Sequence, residues 1–546
     1  MSDLCGVGDA NDLCRVRRRQ WRLWLGYSSI VALGIGVGAC GGDDIDPRAL
    51  GADPGRTVEP QYEWSASDGE LPPLTDVTVA WGLDGFENTA EFQAAGGVAL
   101  GDLDGDGWID MAVAGGDLTL FYGGDDGMTP AATTIAAAIG EVASVGLADV
   151  DGDGMLDVLI GVIGGDDLIV WGGGWSATRD PSSALTTPLP GGTQTVALMA
   201  ADLGGDERAD VLRLSHDPSE PDFVWVQVGS RVFAPEPLPL SYRQSFAAEI
   251  VDVDGDGLLD IWVTRDIGWS AGADSIYTRQ GDPEGPWIDI APEVGTALAV
   301  DGMGIALADL DGDGTLDAYV TDIGENDILL GGTDRYRPAV DTGAGRIRPP
   351  GAPLATVSSS WAVGAADINL DGTVDLVVAN GGFGGADIVN KVPGTEIVDL
   401  DTPSVFLGLG DGRFADVWPR LNQPWRARIR GMALGDLDRD GDADLVFVSN
   451  AGGIRVYRND VRGQSVTLVV PEPACAAGFI ATVKGPSRSY RAVLTQHSFL
   501  GAHGSQLTVG TGGAAVEISV TRPGRTPFTR EISAGSGRMT IEVPCR

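Results

Sequence analysis

The sequence predicts an all-β protein assembled from one repeated unit, and three observations carry that reading. A nine-residue pattern, Asp-x-Asp-x-Asp-Gly-x-x-Asp, begins at Asp102, Asp149, Asp202, Asp252, Asp309, Asp367 and Asp436, with successive spacings of 47, 53, 50, 57, 58 and 69 residues. Each copy lies between short apolar runs of period two, GGVALGD before and DMAVAG after the first, so the pattern reads as the turn of a hairpin. Glycine accounts for 81 of 546 residues, about twice its usual share, as a chain that turns tightly and often requires. Self-similarity at such a period is the mark of a repeat architecture, in which one cooperative unit outgrows an ordinary domain.

Charge narrows the partners. The 78 acidic and 36 basic residues leave a formal net charge of −42, which disfavours nucleic acid and anionic lipid, since a polyanion gains nothing from counterion release. With 43% apolar and only 21% charged residues, the acidity is not that of a disordered tail, and a sizeable core can be buried. Three histidines, His216, His497 and His503, leave few groups for imidazole acid-base work.

Taken in order, the chain starts with a segment of its own logic. Arg15, Arg17, Arg18, Arg19 and Arg22 precede an apolar, glycine-broken run over 23–39, as in a signal peptide. Its end, Val37, Gly38, Ala39 and Cys40, resembles a bacterial lipobox. That resemblance implies removal of 1–39 and lipidation of Cys40; with Gly41 and Gly42 following, its sorting rule implies an exported protein held at the outer membrane or cell surface. Residues 40–74, rich in Gly, Asp and Pro, read as a flexible tether. Export implies an oxidising compartment, which makes Cys475 and Cys545 a natural disulfide closing a loop of about 70 residues, a constraint of about 4 kcal/mol in the chain-entropy account.

The repeats occupy 75–462. In the first copy Asp102, Asp104, Asp106 and Asp110 place four carboxylates within one turn, with Gly107 as hinge and the carbonyl of Trp108 as a further oxygen. Equivalent sets are Asp149, Asp151, Asp153, Met155 and Asp157; Asp252, Asp254, Asp256, Leu258 and Asp260; and Asp309, Asp311, Asp313, Thr315 and Asp317. The sixth copy has Asp367, Asn369, Asp371, Thr373 and Asp375, and the seventh Asp436, Asp438, Asp440, Asp442 and Asp444. Oxygen-only donors on a flexible loop select Ca²⁺ over zinc, copper or magnesium. The third copy, Asp202, Gly204, Asp206, Glu207 and Asp210, lacks the second ligand and the hinge glycine, so its site is expected to be weak or empty and about six Ca²⁺ sites remain. An EF-hand shares the first nine positions but needs Glu at the twelfth, where this chain has Val113, Ile160, Arg213, Val263, Val320, Val378 and Phe447.

These loops and their flanks resemble the FG-GAP, or VCBS, repeats of integrin-α-like β-propellers. The lead-in Asp76, Val77 and Thr78, the repeat ALGDLDGDGWIDMAVAG and the closing VYRND (456–460) are similar to bacterial relatives of cartilage acidic protein, which end in an ASPIC/UnbV domain. The resemblance implies a seven-bladed propeller of four-stranded blades with Ca²⁺-binding hairpin loops, about 55 residues per blade, followed over 463–546 by a small β-sandwich-like domain. The tail segment HSFLGAHGSQLTVGTG is similar to that family's Ser- and Gly-rich stretch; its His497 and His503 are expected to be solvent-facing or satisfied in a core.

Function divides between classes. The family geometry puts metal loops on one face and ligands on the other, on loops such as 215–221, 265–274 and 380–387, where Trp269 and Phe383 could stack on a sugar or anchor a peptide. The expectation is a surface-anchored, calcium-stabilised binding or adhesion module for a protein or glycan, held at the membrane by its lipid alone. The alternatives are a polysaccharide-active enzyme of lyase type and a purely structural envelope protein. A lyase needs a base beside its cation, and the repeat region offers one histidine and one lysine, Lys391. No nucleophile elbow, phosphate loop or dinucleotide fingerprint is present, and no catalytic residue is assigned.

Overall fold

The computed structural model describes residues 70–545 except 131–134, 136–139, 240–243, 267–271, 333–334, 341, 346–355, 383–395, 398, 451, 471–476 and 495. Period-two alternation becomes antiparallel strands: in the first repeat Val98–Gly101, Asp110–Gly115, Asp117–Tyr122 and Thr129–Pro130 pair in chain order. Among the described residues seven such four-stranded groups occur, one for each copy of the motif. Their first strands, Val98–Gly101, Glu141–Ala148, Thr195–Ala201, Ser245–Val251, Ile305–Ala308, Ser360–Ala366 and Ile429–Gly435, each pack on the next, and the last packs on the first. The groups are therefore blades of a ring, numbered 1 to 7 here. Glycine lets these inner backbones approach: a Cβ on Gly304 would lie 2.3 Å from the Trp361 carbonyl oxygen, and one on Gly431 2.0 Å from that of Gly96.

The N-terminal strand closes the ring. Leu74–Asp76 pairs antiparallel with Ile454–Asn459, so the fourth strand of blade 7 comes from the start of the repeat region and its first three from the end. Outer strands elsewhere are short, as in Ile288–Asp289 and Arg337–Pro338, and Pro130, Pro188, Pro235 and Pro338 interrupt their exposed edges, which blunts pairing with other chains.

Residues after 463 form two further sheets, Gln506–Gly510, Ser465–Val469 and Met539–Glu542 in one, Ser489–Val493, Ile480–Lys484, Val516–Thr521 and Phe528–Ile532 in the other. The second continues from the inner strand of blade 5 through Ala308 opposite Ala492. One apolar cluster joins Val466, Leu468, Ile518 and Val520 of this sandwich to Ala306, Leu310, Val363 and Leu376 of blades 5 and 6.

Between the sandwich strands Ser489–Val493 and Gln506–Gly510, residues 496–504 run into the middle of the ring. His497–Ser498 and Gly501–Ala502 form a small hairpin whose Ala502 pairs in parallel with Ala99 of blade 1. The Gln496 amide pairs with both the N–H and the carbonyl of Ala365 in blade 6, at 2.8 Å each. Leu500 accepts from Val145 of blade 2 at 3.0 Å, and buried Glu249 of blade 4 accepts from the His497 N–H at 2.9 Å. His503 Nδ1 accepts from Leu434 of blade 7 at 3.0 Å. Phe499, fully buried, packs against Phe246 and Trp361. The segment is a plug that uses up inner-strand backbone groups otherwise open to the channel. The His503 imidazole is thus satisfied in the core, where burial holds it down at about 4, whereas the His497 ring lies with Nδ1 3.9 Å from Glu249 and makes no hydrogen bond there.

Opposite the motif turns, neighbouring blades are joined by buried ion pairs. Asp167 of blade 2 meets Arg213 of blade 3 at 3.1 Å and accepts from Thr195 Oγ1 at 2.8 Å. Asp222 of blade 3 meets Arg265 of blade 4 at 3.6 Å and accepts from Ser245 Oγ at 2.8 Å. No helix among the described residues is long and apolar enough to cross a membrane.

Candidate metal centre

The seven motifs fold alike because the ninth residue is the first residue of the second strand. Asp110, Asp157, Asp210, Asp260, Asp317, Asp375 and Asp444 each head that strand, each opposite the residue before the motif, as Asp110 faces Gly101 and Asp444 faces Gly435. All seven are buried. In six of them one carboxylate oxygen accepts from the N–H of the motif's second residue at 2.7–2.8 Å, for example Leu103 to Asp110 and Leu310 to Asp317. The other oxygen commonly accepts from the third strand, as Gly123 donates to Asp110 and Asn459 to Asp444, both at 2.8 Å. The ninth Asp is therefore a clasp between three strands as well as a potential ligand.

The rest of the loop winds around the first Asp. Asp102 accepts from Gly105 and Gly107 at 2.8 Å, Asp104 from the Asp106 N–H at 3.1 Å, and Asp106 from the Trp108 N–H at 2.8 Å. This winding needs left-handed backbone twice, at the fourth and sixth residues, which are Gly105 (φ 76°) and Gly107 (φ 86°) here. The sequence pattern marks only the sixth position, yet the fourth is equally demanding: Leu370 (φ 55°) and Arg439 (φ 61°) occupy it in loops 6 and 7. In loop 3 Glu207 takes the hinge position at φ 67°, so the missing glycine is borne as strain rather than avoided.

The loops gather carboxylates. Asp102, Asp104 and Asp110 place one oxygen each within 4.8 Å of one another, and so do Asp149, Asp151 and Asp157; Asp252, Asp254 and Asp260; Asp309, Asp311 and Asp317; and Asp436, Asp438 and Asp444. At 4.8 Å two like charges repel by about 3 kcal/mol at an effective dielectric near 20. Burial, opposed by the N–H bonds, pushes Asp110, Asp157, Asp260 and Asp317 up to about 7, and Asp444 well above the carboxylate range. Buried Oδ1 atoms of Asp260 and Asp436 accept no hydrogen bond. Three converging oxygens with unused lone pairs and a deficit of positive charge fit a divalent cation, and the donor set holds neither sulfur nor nitrogen.

Loops 3 and 6 stand apart from those five trios. In loop 6 Asp367 is pushed up to about 7 and Asp375 well above its ordinary range, both by burial first and then by Asp371. The Asn369 amide oxygen accepts from the Asp371 N–H at 3.2 Å while its Nδ2 donates to the Asp371 carboxylate at 3.2 Å. In loop 3 the Asp206 carboxylate is taken by Arg208 of its own loop, while Asp210 is pushed up to about 6 by burial first and then by Asp206 and Asp202. The fifth-position carboxylates lie outside the trios and meet guanidinium groups: Arg179 contacts Asp104 and reaches Asp106 at 2.8 Å, and Arg231 reaches Asp151 at 2.5 Å and Asp153 at 3.9 Å. Arg179 stacks on Tyr122 and Arg231 on Trp171, which positions both charges over loops 1 and 2. These arginines lie far from the loops in the sequence and carry no pattern that could have announced them.

The C-terminal sandwich sits on this same side of the ring. Arg538 approaches Asp440 at 3.1 Å and buried Asp442 at 3.4 Å, and Ser465 Oγ donates to the Gly441 carbonyl at 2.9 Å. Arg488 pairs with Asp371 at 2.9 Å, and the Gly510 N–H donates to Asp367 Oδ2 at 2.8 Å. In loop 5 the Asp309 N–H donates to the Arg491 carbonyl at 2.8 Å. Asp442, the seventh residue of its motif, whose carbonyl is the expected ligand, has its side chain buried toward Arg538 and is pushed up to about 9 by burial and by Asp440.

Three stretches, 102–160, 252–320 and 397–447, match the FG-GAP-like repeat. Three stretches of this blade ring are thus similar to that repeat. The matched stretches take in loops 1, 2, 4, 5 and 7, the five whose carboxylates gather into trios. Among solved structures the propeller has similarity to that reported as BBS1N in complex with ARL6DN, soaked with mercury, at 13% identity over 69% of this chain and 96% of that one, TM-score 0.39. It also has similarity to the structure of the Dos1 propeller, at 9% identity over 64% of this chain and 74% of that one, TM-score 0.34. No curated protein matches the sequence.

Of the remaining expected residues, Cys545 is buried and disulfide-bonded. Cys40, Cys475, Trp269 and Phe383 lie outside the described residues. The loop at 215–221 is built around its own acids: Asp217 accepts from Ser219 and from Thr193 Oγ1 at 2.8 Å, and Glu220 pairs with Arg213 at 2.8 Å.

Proposed function

We propose that this protein is a calcium-stabilised binding module for a protein or glycan, without catalytic activity of its own, carried outside the cell on a lipid attached at Cys40. The five gathered Asp trios support the calcium reading, because a hard divalent cation is what three converging, partly buried carboxylates lack. The position of the sandwich supports the choice of binding face. It contacts loops 5, 6 and 7 on the motif side and sends its plug into the channel, so the motif side and the channel are largely occupied by the chain itself. The opposite rim, with the turns between second and third strands such as 215–221, is the face left for a ligand.

Purified protein on glycan and protein arrays, with calcium and with chelator, tests the proposal. Calcium-dependent capture that is lost on replacing residues of 215–221 by glycine and serine supports it. Turnover of an acidic polysaccharide, or capture unaffected by changes on that rim, sinks it.

A further inference from the structure

The plug and the cation loops share their supports. Residues 496–504 hang between two sandwich strands, Ser489–Val493 and Gln506–Gly510. The first stem is fastened at Arg491, whose carbonyl accepts from the N–H of Asp309, the first ligand of loop 5, at 2.8 Å. The second is fastened at Gly510, whose N–H donates at 2.8 Å to Oδ2 of Asp367, the first ligand of loop 6. Beside that bond backbone meets backbone: a Cβ on Gly510 would lie 2.0 Å from the Leu370 carbonyl oxygen, inside loop 6. Arg488, one residue before the first stem, binds both the carboxylate of Asp371 at 2.9 Å and its carbonyl at 2.8 Å.

We propose that a divalent cation in loops 5 and 6 fastens the channel plug, so that the loops report ion occupancy to the middle of the ring. The inference rests on the calcium reading above. A loop whose carboxylates are neutralised by an ion holds Asp309 and Asp367 in the positions the two stems require. A loop emptied of its ion has like charges pressing apart at the points where both stems are tied. Loop 2 is the internal contrast, because Asp151 and Asp153 meet Arg231 of blade 3. The apolar cluster that joins the sandwich to blades 5 and 6 does not depend on an ion, so the sandwich stays seated and the effect falls on the plug and its stems.

The test uses the full chain with calcium alone as the probe. Hydrogen exchange of peptides spanning 496–504 is read with calcium and with EGTA, and calcium uptake is measured on the same samples by equilibrium dialysis. Chelation is expected to speed exchange of the plug at least ten-fold while Val211 to Leu214 of blade 3, whose loop is not among the gathered trios, change less than three-fold. In calcium, Asp371→Ala is expected to reproduce much of that loss of protection and Asp151→Ala to leave the plug as it is. Arg488→Ala, on the sandwich side, guards against a loop variant that misfolds and is expected to loosen the plug without lowering calcium uptake. Normal uptake with unchanged plug exchange on chelation, or equal effects of Asp371→Ala and Asp151→Ala, overturns the coupling alone. Absence of calcium uptake overturns the calcium reading and the coupling with it.

Discussion

The two ends of the blades handle buried acid in opposite ways. On the side away from the motifs, the carboxylates of Asp167 and Asp222 each have a guanidinium from the following blade, Arg213 at 3.1 Å and Arg265 at 3.6 Å, and a hydroxyl from that blade's first strand. On the motif side three carboxylates share each gathered site, and in loops 1 and 2 a single arginine, Arg179 or Arg231, is shared between a trio member and its fifth-position neighbour. The first arrangement carries its own countercharge and joins one blade to the next. The second leaves a surplus of two or more negative charges that only an added ion or protons can remove. Between blades 2, 3 and 4 the far side is thus self-neutralising and the motif side conditional, whereas farther round that same side Asp322, beside Asp301 and Asp327, is pushed well above its ordinary range by burial first and then by those acids.

The largest expected effect separates the ends outright. Each cation bound only by the folded state adds about 2.7 kcal/mol at a hundred times its dissociation constant, so emptying five trios by chelation is expected to lower the melting temperature by more than about 10 °C. Calorimetry in excess EDTA reads this, and an unchanged transition shows that the motif end needs no ion. Next comes Arg265→Ala, which strands Asp222 in a fully buried position at a cost of about 3–5 kcal/mol. Because that pair carries its own countercharge, the loss in denaturant unfolding should be the same with and without calcium, and a calcium-dependent loss breaks the comparison.

The plug responds to pH at His503. His503 is held neutral in the fold at about 4, against 6.5 when unfolded. A depressed histidine contributes stability that is present above 6.5 and lost as pH falls through 4, here about 3 kcal/mol. Stability of the wild type between pH 7 and 4 is therefore expected to fall more steeply than that of His503→Gln, measured by urea unfolding in saturating calcium. Parallel curves would show that the imidazole is not excluded from charging. Smaller again is the contrast within the motif end: Asp104→Ala, in a gathered trio, is expected to cost about 2 kcal/mol more than Asp206→Ala in calcium, and the gap should close in EDTA. Equal costs in calcium would place loops 1 and 3 in one class.

What the sequence made legible follows from what is local. Nine contiguous residues carry the loop, so the turns and the flanking strands could be read from spacing and residue type, and Asp104 and Asp110 do meet in one trio. Glu207 shows the limit of that reading, since an absent glycine marks strain and not an absent turn. Long-range pairings left no such trace. Leu74–Asp76 joins Ile454–Asn459 across almost the whole ring, Ala502 joins Ala99, and Arg538 joins Asp440, through contacts in which either partner alone is unremarkable in sequence. The tail stretch at 496–504 was visible as unusual, but its small residues, which let it pass between inner strands, have no periodicity to announce a plug: a Cβ on Gly501 would lie 2.0 Å from the Val98 carbonyl oxygen.

The smallest predicted effect asks whether loop 3 can be brought into the conditional class. Its hinge residue, Glu207, sits at φ 67° with its carboxylate 3.6 Å from Arg525, an exposed pair that contributes little. Glu207→Gly relieves about 1 kcal/mol of left-handed strain and gives back part of it to a freer unfolded chain, for a net gain of about 0.5 kcal/mol. Glu207→Ala keeps the strained Cβ and should gain nothing, which separates strain from loss of charge. The missing second ligand can also be restored: a Cβ on Gly204 would lie 3.7 Å from Asp210 Oδ2, an ordinary contact, and Gly204 needs no left-handed backbone. Gly204→Asp together with Glu207→Gly is therefore expected to raise calcium uptake by about one ion per chain. If uptake stays at the wild-type value while the single change stabilises the fold, the geometry of loop 3 is complete and its failure to bind lies with Arg208, which already holds Asp206.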